Sequence, residues 1–292
     1  MSEAVKRLED YDIETRAEAT VVSSERITPE LSTEEVRELV LEVEREDFPY
    51  AAGQSVGVLA PGSPEFGNRV HFRLYSVADL PERSPDGSKP RIKICVRRCS
   101  YIDTYSGERY DGVASNYLCD LRAGDTLTLA GPFGLPFEVP ESRNANLVLI
   151  GSGTGIAPFR AFVKHLYREV DDWTGRVWLF HGARSGLEML YMNDRTDDFA
   201  KYYDEETFEA FKALSPRPNW ADPIAWDQAI AERGAELWEM LESARTYVYV
   251  AGLEKMRDEL DRVFSNLAGS HITWERRKAE LMAGGRWVEL LY

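Results

Sequence analysis

The sequence predicts two domains, an antiparallel β-barrel followed by an α/β domain built on a parallel sheet. Three observations point there. The chain has 292 residues, enough for roughly two domains with cores of their own. From residue 36 to about 140, short strand-like runs alternate with loops rich in Pro, Gly and Ser and contain little helix, the pattern of an antiparallel barrel. After about Glu141 strands and helices alternate, as in a parallel sheet wound by helices.

In order along the chain, residues 1–35 are polar and read as a loosely attached arm. Leu39, Leu41 and Val43 alternate with Val40, Glu42 and Glu44, predicting a first strand. Gln54 to Leu59 and Val70 to Ser76 are further strands, set apart by loops over 61–68 and 81–90. Arg91 to Arg97 alternates polar and apolar residues, the period of a half-buried strand. Ser115 to Leu121 is the one helical break, with Ser115 as N-cap and Gly124 as the stop. Thr126 to Leu129 is a short strand closed by Gly131-Pro132. Beyond Glu141 the expected elements are strand 147–150, helix 157–168, strand 176–181, helix 228–241, strand 246–250 and helix 254–267. Glu205 to Leu214 has helical composition, yet Phe208 to Phe211 also suits a strand. The chain ends in a strand-like run from Arg286 that reaches Tyr292, an aromatic where chain ends usually fray.

Composition narrows the function. Hydrophobic residues make up 43% and charged residues 29%, ordinary for a globular protein. No apolar run approaches the length of a membrane span, and the acid-rich N-terminal stretch has no signal-like core, so a cytoplasmic location is expected. The net charge of −15 argues against nucleic acid as a partner. Cys95, Cys99 and Cys119 form no CxxC pair, which gives no case for a disulfide framework or a metal site. Arg91/Lys93/Arg97/Arg98 and Arg276/Arg277/Lys278 are candidate basic patches for an acidic partner, with solvated faces the plainer explanation.

Two motifs carry chemistry. GSGTGIAPFR, Gly151 to Arg160, follows the buried run Leu147 to Ile150, and Pro158 sits where a helix begins. Strand, glycine turn and helix N-terminus together let backbone N–H groups meet a pyrophosphate, although a tight turn with glycines for packing alone leaves the same pattern. Arg73-Leu74-Tyr75-Ser76 places a cationic fork, an aromatic plate and a hydroxyl within four residues, with Arg73 and Tyr75 on one face. Such a set can hold a phosphate bidentately and stack on a planar ring.

RLYS, CVRR with Tyr101, GVASNYLCDL, GPFG, GSGTGIAPFR, WLFHGAR, YVYVAGLEKM and a terminal Tyr occur in the order seen in plant-type ferredoxin–NADP reductases, and the chain resembles that family from about residue 36 to 292. The resemblance implies an FAD-binding barrel over 36–140 and an NADP(H)-binding α/β domain over 141–292. It implies that Arg73 contacts the FAD pyrophosphate, that Tyr75 stacks on the isoalloxazine with Leu74 beside it, and that Ser76 lies near flavin N5. Cys95, Val96 and Arg97 would run under the flavin, Tyr101 would stack on the adenine, and Gly112, Val113, Ala114 and Ser115 would bind FAD phosphate through backbone N–H groups. Gly153 and Thr154 would face the nicotinamide and its pyrophosphate; Gly182, Ala183 and Arg184 would line the nucleotide groove. Ser215 and Arg217 fall at the 2′-phosphate site, and Gly252, Leu253 and Met256 would flank the adenosine end. Tyr292 would cover the other flavin face and move aside for the nicotinamide, with Ser76 and Tyr292 the catalytic pair.

The sequence departs from the family at three places. Ala251 replaces the usual Cys, and Leu290 replaces the usual Glu, with Glu289 one place earlier and so on the other strand face. At the 2′-phosphate site the Lys is gone and Trp226 stands in for the Tyr, so NADP(H) is the expected nucleotide with NAD(H) as the alternative. The activity implied is hydride transfer between nicotinamide C4 and flavin N5, with electrons exchanged singly with a ferredoxin or flavodoxin-like carrier. The rivals are the reductase component of a multicomponent oxygenase and a flavin-holding interaction subunit with weak catalysis.

Overall fold

The computed structural model describes residues 8–62, 69–134, 138–203, 205–220 and 222–292. Its contacts divide the chain into two compact units: Met1–Thr28 with Thr33–Phe137, and Pro29–Ser32 with Glu138–Tyr292. The loop expected over 61–68 lies outside the described residues from 63 onward.

The first unit is built from β1 (Arg16–Arg26), β2 (Val36–Val43), β3 (Ser55–Pro61), β4 (Val70–Ser76), β5 (Glu82–Arg83), β6 (Pro90–Arg97), the hairpin β7 (Ser100–Ile102) and β8 (Arg109–Asp111), α1 (Val113–Asp120) and β9 (Thr126–Phe133). Seven of these strands form one sheet in the order β4-β3-β9-β1-β2-β6-β5, and all its pairings are antiparallel. A bridge from Val77, just past β4, to Ile94 of β6 closes the sheet on itself. Inside lie Leu39, Leu41, Val43, Val56, Val58, Ile92, Ile94 and Leu129, all fully buried, each from a strand whose residues alternate inward and outward.

The strands of this unit depart from expectation at both β1 and β9. The stretch read as an arm over 1–35 contains β1, a central strand between β9 and β2. Its inward residues Ala17, Ala19 and Val21 are buried, but alanines among Arg, Glu, Thr and Ser give little apolar contrast. β9 also does not close at Gly131-Pro132 but continues to Phe133, where Phe133 makes edge contacts with Tyr11 and Phe72.

The second unit follows the expected alternation: β10 (Asn146–Ser152), α2 (Ile156–Glu169), β11 (Val177–Ala183), β12 (Phe208–Leu214), α3 (Trp226–Ala231), α4 (Gly234–Glu242), β13 (Thr246–Gly252), α5 (Lys255–Leu267), α6 (His271–Ala283) and β14 (Trp287–Leu291). The five strands are parallel, in the order β12-β11-β10-β13-β14. Order reversal around β10 places the ends of β10 and β13 at a switch point, where open α/β sheets bind ligands. The ambiguous segment 205–214 is the edge strand β12, and the single helix expected over 228–241 is two, broken at Arg233. The sequence reading did not name α6, whose buried residues are only Trp274 and Leu281.

One buried group sets an acid limit on this unit. His181 of β11 is fully buried, and neither ring nitrogen has a hydrogen-bond partner among the described residues. Burial, helped by Lys212, pushes its pKa down to about 3, so the ring is neutral in the folded state. The unfolded chain takes up that proton near pH 6.5 and the folded chain does not, so stability is lost as pH falls below 6.5. The loss reaches about 2 kcal/mol by pH 5. His181→Leu is therefore expected to melt higher than the parent at pH 7.5, by removing an unpaired buried polar group worth about 1–3 kcal/mol. It should also lose less stability between pH 7.5 and 5; an unchanged acid limb in thermal melts would rule His181 out as its cause.

Candidate functional site

Among the described residues, each unit contains one helix whose N-cap is a glycine and which carries no side-chain cap. In the first unit that helix is α1. Its N-cap is Gly112, not Ser115, and no side chain bonds the first turn. Ser115 instead accepts from the Cys99 N–H at 3.1 Å and donates to the Gly112 carbonyl at 3.2 Å. A Cβ at Gly112 would lie 2.8 Å from Ser115 Oγ and 3.2 Å from the Cys99 carbonyl, so any larger residue here must push the Ser115 hydroxyl or the Cys99 carbonyl aside. The result is a helix start whose leading N–H groups are left for an anion. Gly124, expected as the helix stop, instead sits at φ +95° in the turn before β9.

α1 packs against β3, β4 and β6, which brings it beside the other expected flavin residues. Arg73 on β4 is exposed, and its Nη1 donates to the Phe72 carbonyl at 2.8 Å. Tyr75 packs against the barrel core, and burial raises the pKa of its hydroxyl well above the ordinary range. Leu74 and Ser76 are half-buried; Cys95 and Val96 are buried on β6, and Arg97 is exposed with Glu34 at 3.8 Å. Tyr101 on β7 is 59% exposed, a flat ring presented to solvent. Cys119 is buried, and burial pushes its thiol up to about 12, so it is no nucleophile.

The second cradle lies where β10 meets α2. Gly153 has φ +54° within a 3-10 turn, Gly153–Gly155, that leads directly into the helix. Neither Ser152 nor Gly155 provides a side-chain cap. At Gly155 a Cβ would meet the Ala251 carbonyl oxygen at 2.3 Å and the Gly252 nitrogen at 2.6 Å, so the turn lies directly on the end of β13. Gly252 has φ +145°, and a Cβ there would meet Met256 Sδ at 2.6 Å and Ser152 Oγ at 2.8 Å. Met256 is thus buried under Gly252, while Leu253 is half-buried beside it.

Tyr292 reaches this cradle from β14. Its backbone N–H bonds the Gly252 carbonyl at 2.9 Å and its carbonyl accepts from Glu254 at 3.2 Å, which fixes a residue that would otherwise fray. Its hydroxyl lies 2.6 Å from Thr154 Oγ1. Leu290 and Glu289 face opposite sides of β14. Burial would raise the Glu289 pKa, but bonds from Trp287 and Arg257 with the charge of Lys278 outweigh it and hold the carboxyl below its usual range. Arg257 is at 2.9 Å and Lys278 at 3.4 Å, so Glu289 is a charged tie between β14, α5 and α6.

The groove residues Gly182 and Ala183 end β11, and Arg184 follows with Glu188 at 3.5 Å. Trp226, read as a stand-in for a stacking tyrosine, is 1% exposed. Its ring fills the space left by the missing Gly182 side chain, 2.4 Å from where a Cβ would be. Trp220, in contrast, is 76% exposed, with the Arg217 guanidinium 5.7 Å from its ring centroid. Ser215 Oγ donates to the Asp222 carbonyl at 2.9 Å, and Arg217 Nε donates to the Asp222 carboxylate at 2.8 Å.

The basic patches are largely spent internally. Arg91 pairs with Glu42, Lys93 with Asp79, Arg98 with Glu35 and Asp120, Arg277 with Glu280, and Lys278 with Asp261. Among the described residues no group of three or more His, Cys, Asp or Glu is placed to hold a metal, and no helix is long and apolar enough to cross a membrane.

Comparison with known proteins agrees with this geometry. Residues 149–261 match the oxidoreductase NAD-binding domain. The chain is 35% identical over 273 residues to the chloroplastic ferredoxin–NADP reductase leaf isozyme 1 of Oryza sativa subsp. indica, covering 91% of this chain and 74% of that one. It is 32% identical over 273 residues to the ferredoxin–NADP reductase of Spirulina sp, covering 91% and 92%. Among solved structures, ferredoxin–NADP+ reductase from Plasmodium falciparum shares the fold with a TM-score of 0.72 at 19% identity, over 97% of this chain and 98% of that one. Glycine-opened helix starts in both units and relatives at this level over nine-tenths of the sequence lead to one statement: the chain belongs to the ferredoxin–NADP reductase family.

Proposed function

We propose that this chain is an FAD-dependent reductase that moves electrons between NADP(H) and a one-electron carrier, ferredoxin or a flavodoxin-like protein. The observation that carries the reading is the pair of uncapped, glycine-opened helix starts, one in each unit. Two such starts suit two dinucleotides, and an enzyme that holds two redox dinucleotides passes electrons between them. The chemistry supplied by bound FAD is the conversion between a hydride, exchanged at flavin N5 with nicotinamide C4, and single electrons.

The residues provide the geometry. Arg73 would clamp the FAD pyrophosphate with the N–H groups of Val113, Ala114 and Ser115, while Gly112 opens the turn with its own N–H given to the Cys99 carbonyl at 2.9 Å. Tyr75 stacks on the isoalloxazine with Leu74 beside it, while Cys95, Val96 and Arg97 run beneath. Tyr101 stacks on the adenine, and the Ser76 hydroxyl holds the proton at N5. On the nucleotide side Gly153 leaves room for the pyrophosphate and Thr154 faces the nicotinamide. Gly182, Ala183 and Arg184 line the groove, and Gly252 and Leu253 border the adenosine, with Met256 supporting them from below. Tyr292 covers the nicotinamide place until the nucleotide takes it. The location proposed is the cytoplasm; fractionation that puts the bound flavin in an organelle or the envelope would contradict it.

Ser215, Arg217 and the exposed Trp220 form the 2′-phosphate site. The Arg217–Asp222 pair is mostly exposed on the arginine side, and such pairs are worth about 0–1 kcal/mol. A phosphate dianion therefore draws Arg217 away from Asp222 at little cost. NADPH is expected to exceed NADH in kcat/KM with a ferredoxin or an artificial acceptor. Arg217→Ala should lower that ratio about 10- to 100-fold, the worth of charge-assisted hydrogen bonds. A ratio that does not move takes Arg217 out of the site.

A further inference from the structure

The two strands of the hairpin β7–β8 each carry one tyrosine, Tyr101 and Tyr110, with Tyr105 in the turn between them. Tyr101 and Tyr110 stand directly opposite each other in the register, which puts their side chains on one face. Their rings are stacked, with centroids 5.6 Å apart and planes at 24°. The Tyr110 hydroxyl donates to Glu108 Oε2 at 2.7 Å, which ties its ring to the end of the turn just before β8. The turn is set by Asp103, whose Oδ1 accepts from the N–H groups of Tyr105 at 3.0 Å and Ser106 at 2.7 Å. The base is tied to the start of α1: the Cys99 carbonyl accepts from the Gly112 N–H at 2.9 Å and from Asn116 Nδ2 at 2.8 Å. Tyr110 lies two residues before Gly112, about 7 Å of extended strand, on the order of the reach from a purine ring to its 5′-phosphate.

We propose that Tyr110 is a positioning residue for the adenine of FAD, backing the Tyr101 ring so that a fixed two-ring plate, joined rigidly to the phosphate-binding helix start, is in place before the flavin arrives. The inference rests on the FAD reading above. Tyr101 alone is an exposed ring that would lose rotamer freedom on stacking; a stacked neighbour has already removed that freedom. Because the plate meets only the adenine half, it selects FAD over FMN, which has none.

The test measures flavin release from purified holoenzyme on serial dilution, read as the rise of free-flavin fluorescence, for enzyme carrying FAD and for the same enzyme loaded with FMN. Tyr110→Val keeps a strand-forming residue and is expected to weaken FAD about three- to tenfold, the worth of an aromatic pair, while leaving FMN unchanged. Tyr110→Phe should hold FAD within about twofold of the parent, since the ring remains. Unchanged FAD release in Tyr110→Val overturns the inference, as does equal weakening of FAD and FMN, which is the mark of a distorted hairpin. A parent enzyme that releases FAD as readily as FMN defeats the FAD reading itself, a separate outcome.

Discussion

Gly155→Ala is expected to lose most nucleotide binding and to destabilise the second unit by about 1–3 kcal/mol, the usual cost of forcing a methyl into packed space. The backbone at Gly155 has φ −62°, so alanine suffers no conformational strain there. The cost is steric: the new methyl would lie 2.3 Å from the Ala251 carbonyl oxygen and 2.5 Å from its carbon. Both are backbone atoms of β13, which cannot swing aside as a side chain can. The turn or the strand end must move, and with it the N–H groups at the head of α2. A displacement of about 1 Å at such a site can cost on the order of a hundredfold, so the dissociation constant for NADP+ should rise by at least about tenfold. Gly186→Ala is the control, because nothing lies within 4 Å of its added methyl. It should melt and bind as the parent does; parent-like NADP+ binding by Gly155→Ala would remove the turn from the site.

Tyr292→Ser is expected to tighten binding of both NADP+ and NADH. The tyrosine hydroxyl sits 2.6 Å from Thr154 Oγ1, and the residue is held by backbone bonds to Gly252 and Glu254. A nicotinamide that is to lie beside Thr154 must first displace that ring. If the ring leaves the site open about 1–10% of the time, its removal tightens the apparent affinity about 10- to 100-fold. Titration of the bound-flavin spectrum with each nucleotide checks this. 2′,5′-ADP, which lacks the nicotinamide, should bind parent and variant alike. Equal NADP+ affinities in the two proteins would mean that Tyr292 does not cover the nicotinamide place.

The legibility of the sequence followed from how much of each signal was local. β10 and α2 could be placed because the run Leu147 to Ile150, three spaced glycines and Pro158 each constrain their own neighbours. β4, Val70–Ser76, matches the strand expected from its sequence at both ends. β1 was missed since its buried face is Ala17, Ala19 and Val21, too small to stand out from polar neighbours. α6 buries only Trp274 and Leu281 and is polar elsewhere, so its period was faint. The choice between Trp220 and Trp226 lay beyond local reading altogether. Which of the two is buried depends on the missing side chain of Gly182, more than thirty positions away, which leaves room for the Trp226 ring while Trp220 stays exposed. Ser115 was misread for a related reason: it looks like a cap, but Cys99 lies within reach of its hydroxyl and the bare Gly112 takes the cap position.

Hydride transfer from NADPH to the bound flavin is read by anaerobic stopped-flow mixing of the FAD-loaded protein with NADPH. The flavin absorbance is expected to bleach within seconds, faster with NADPH than with NADH, and to return when oxidised ferredoxin or flavodoxin is added. A flavin that stays oxidised with both nucleotides would contradict that transfer.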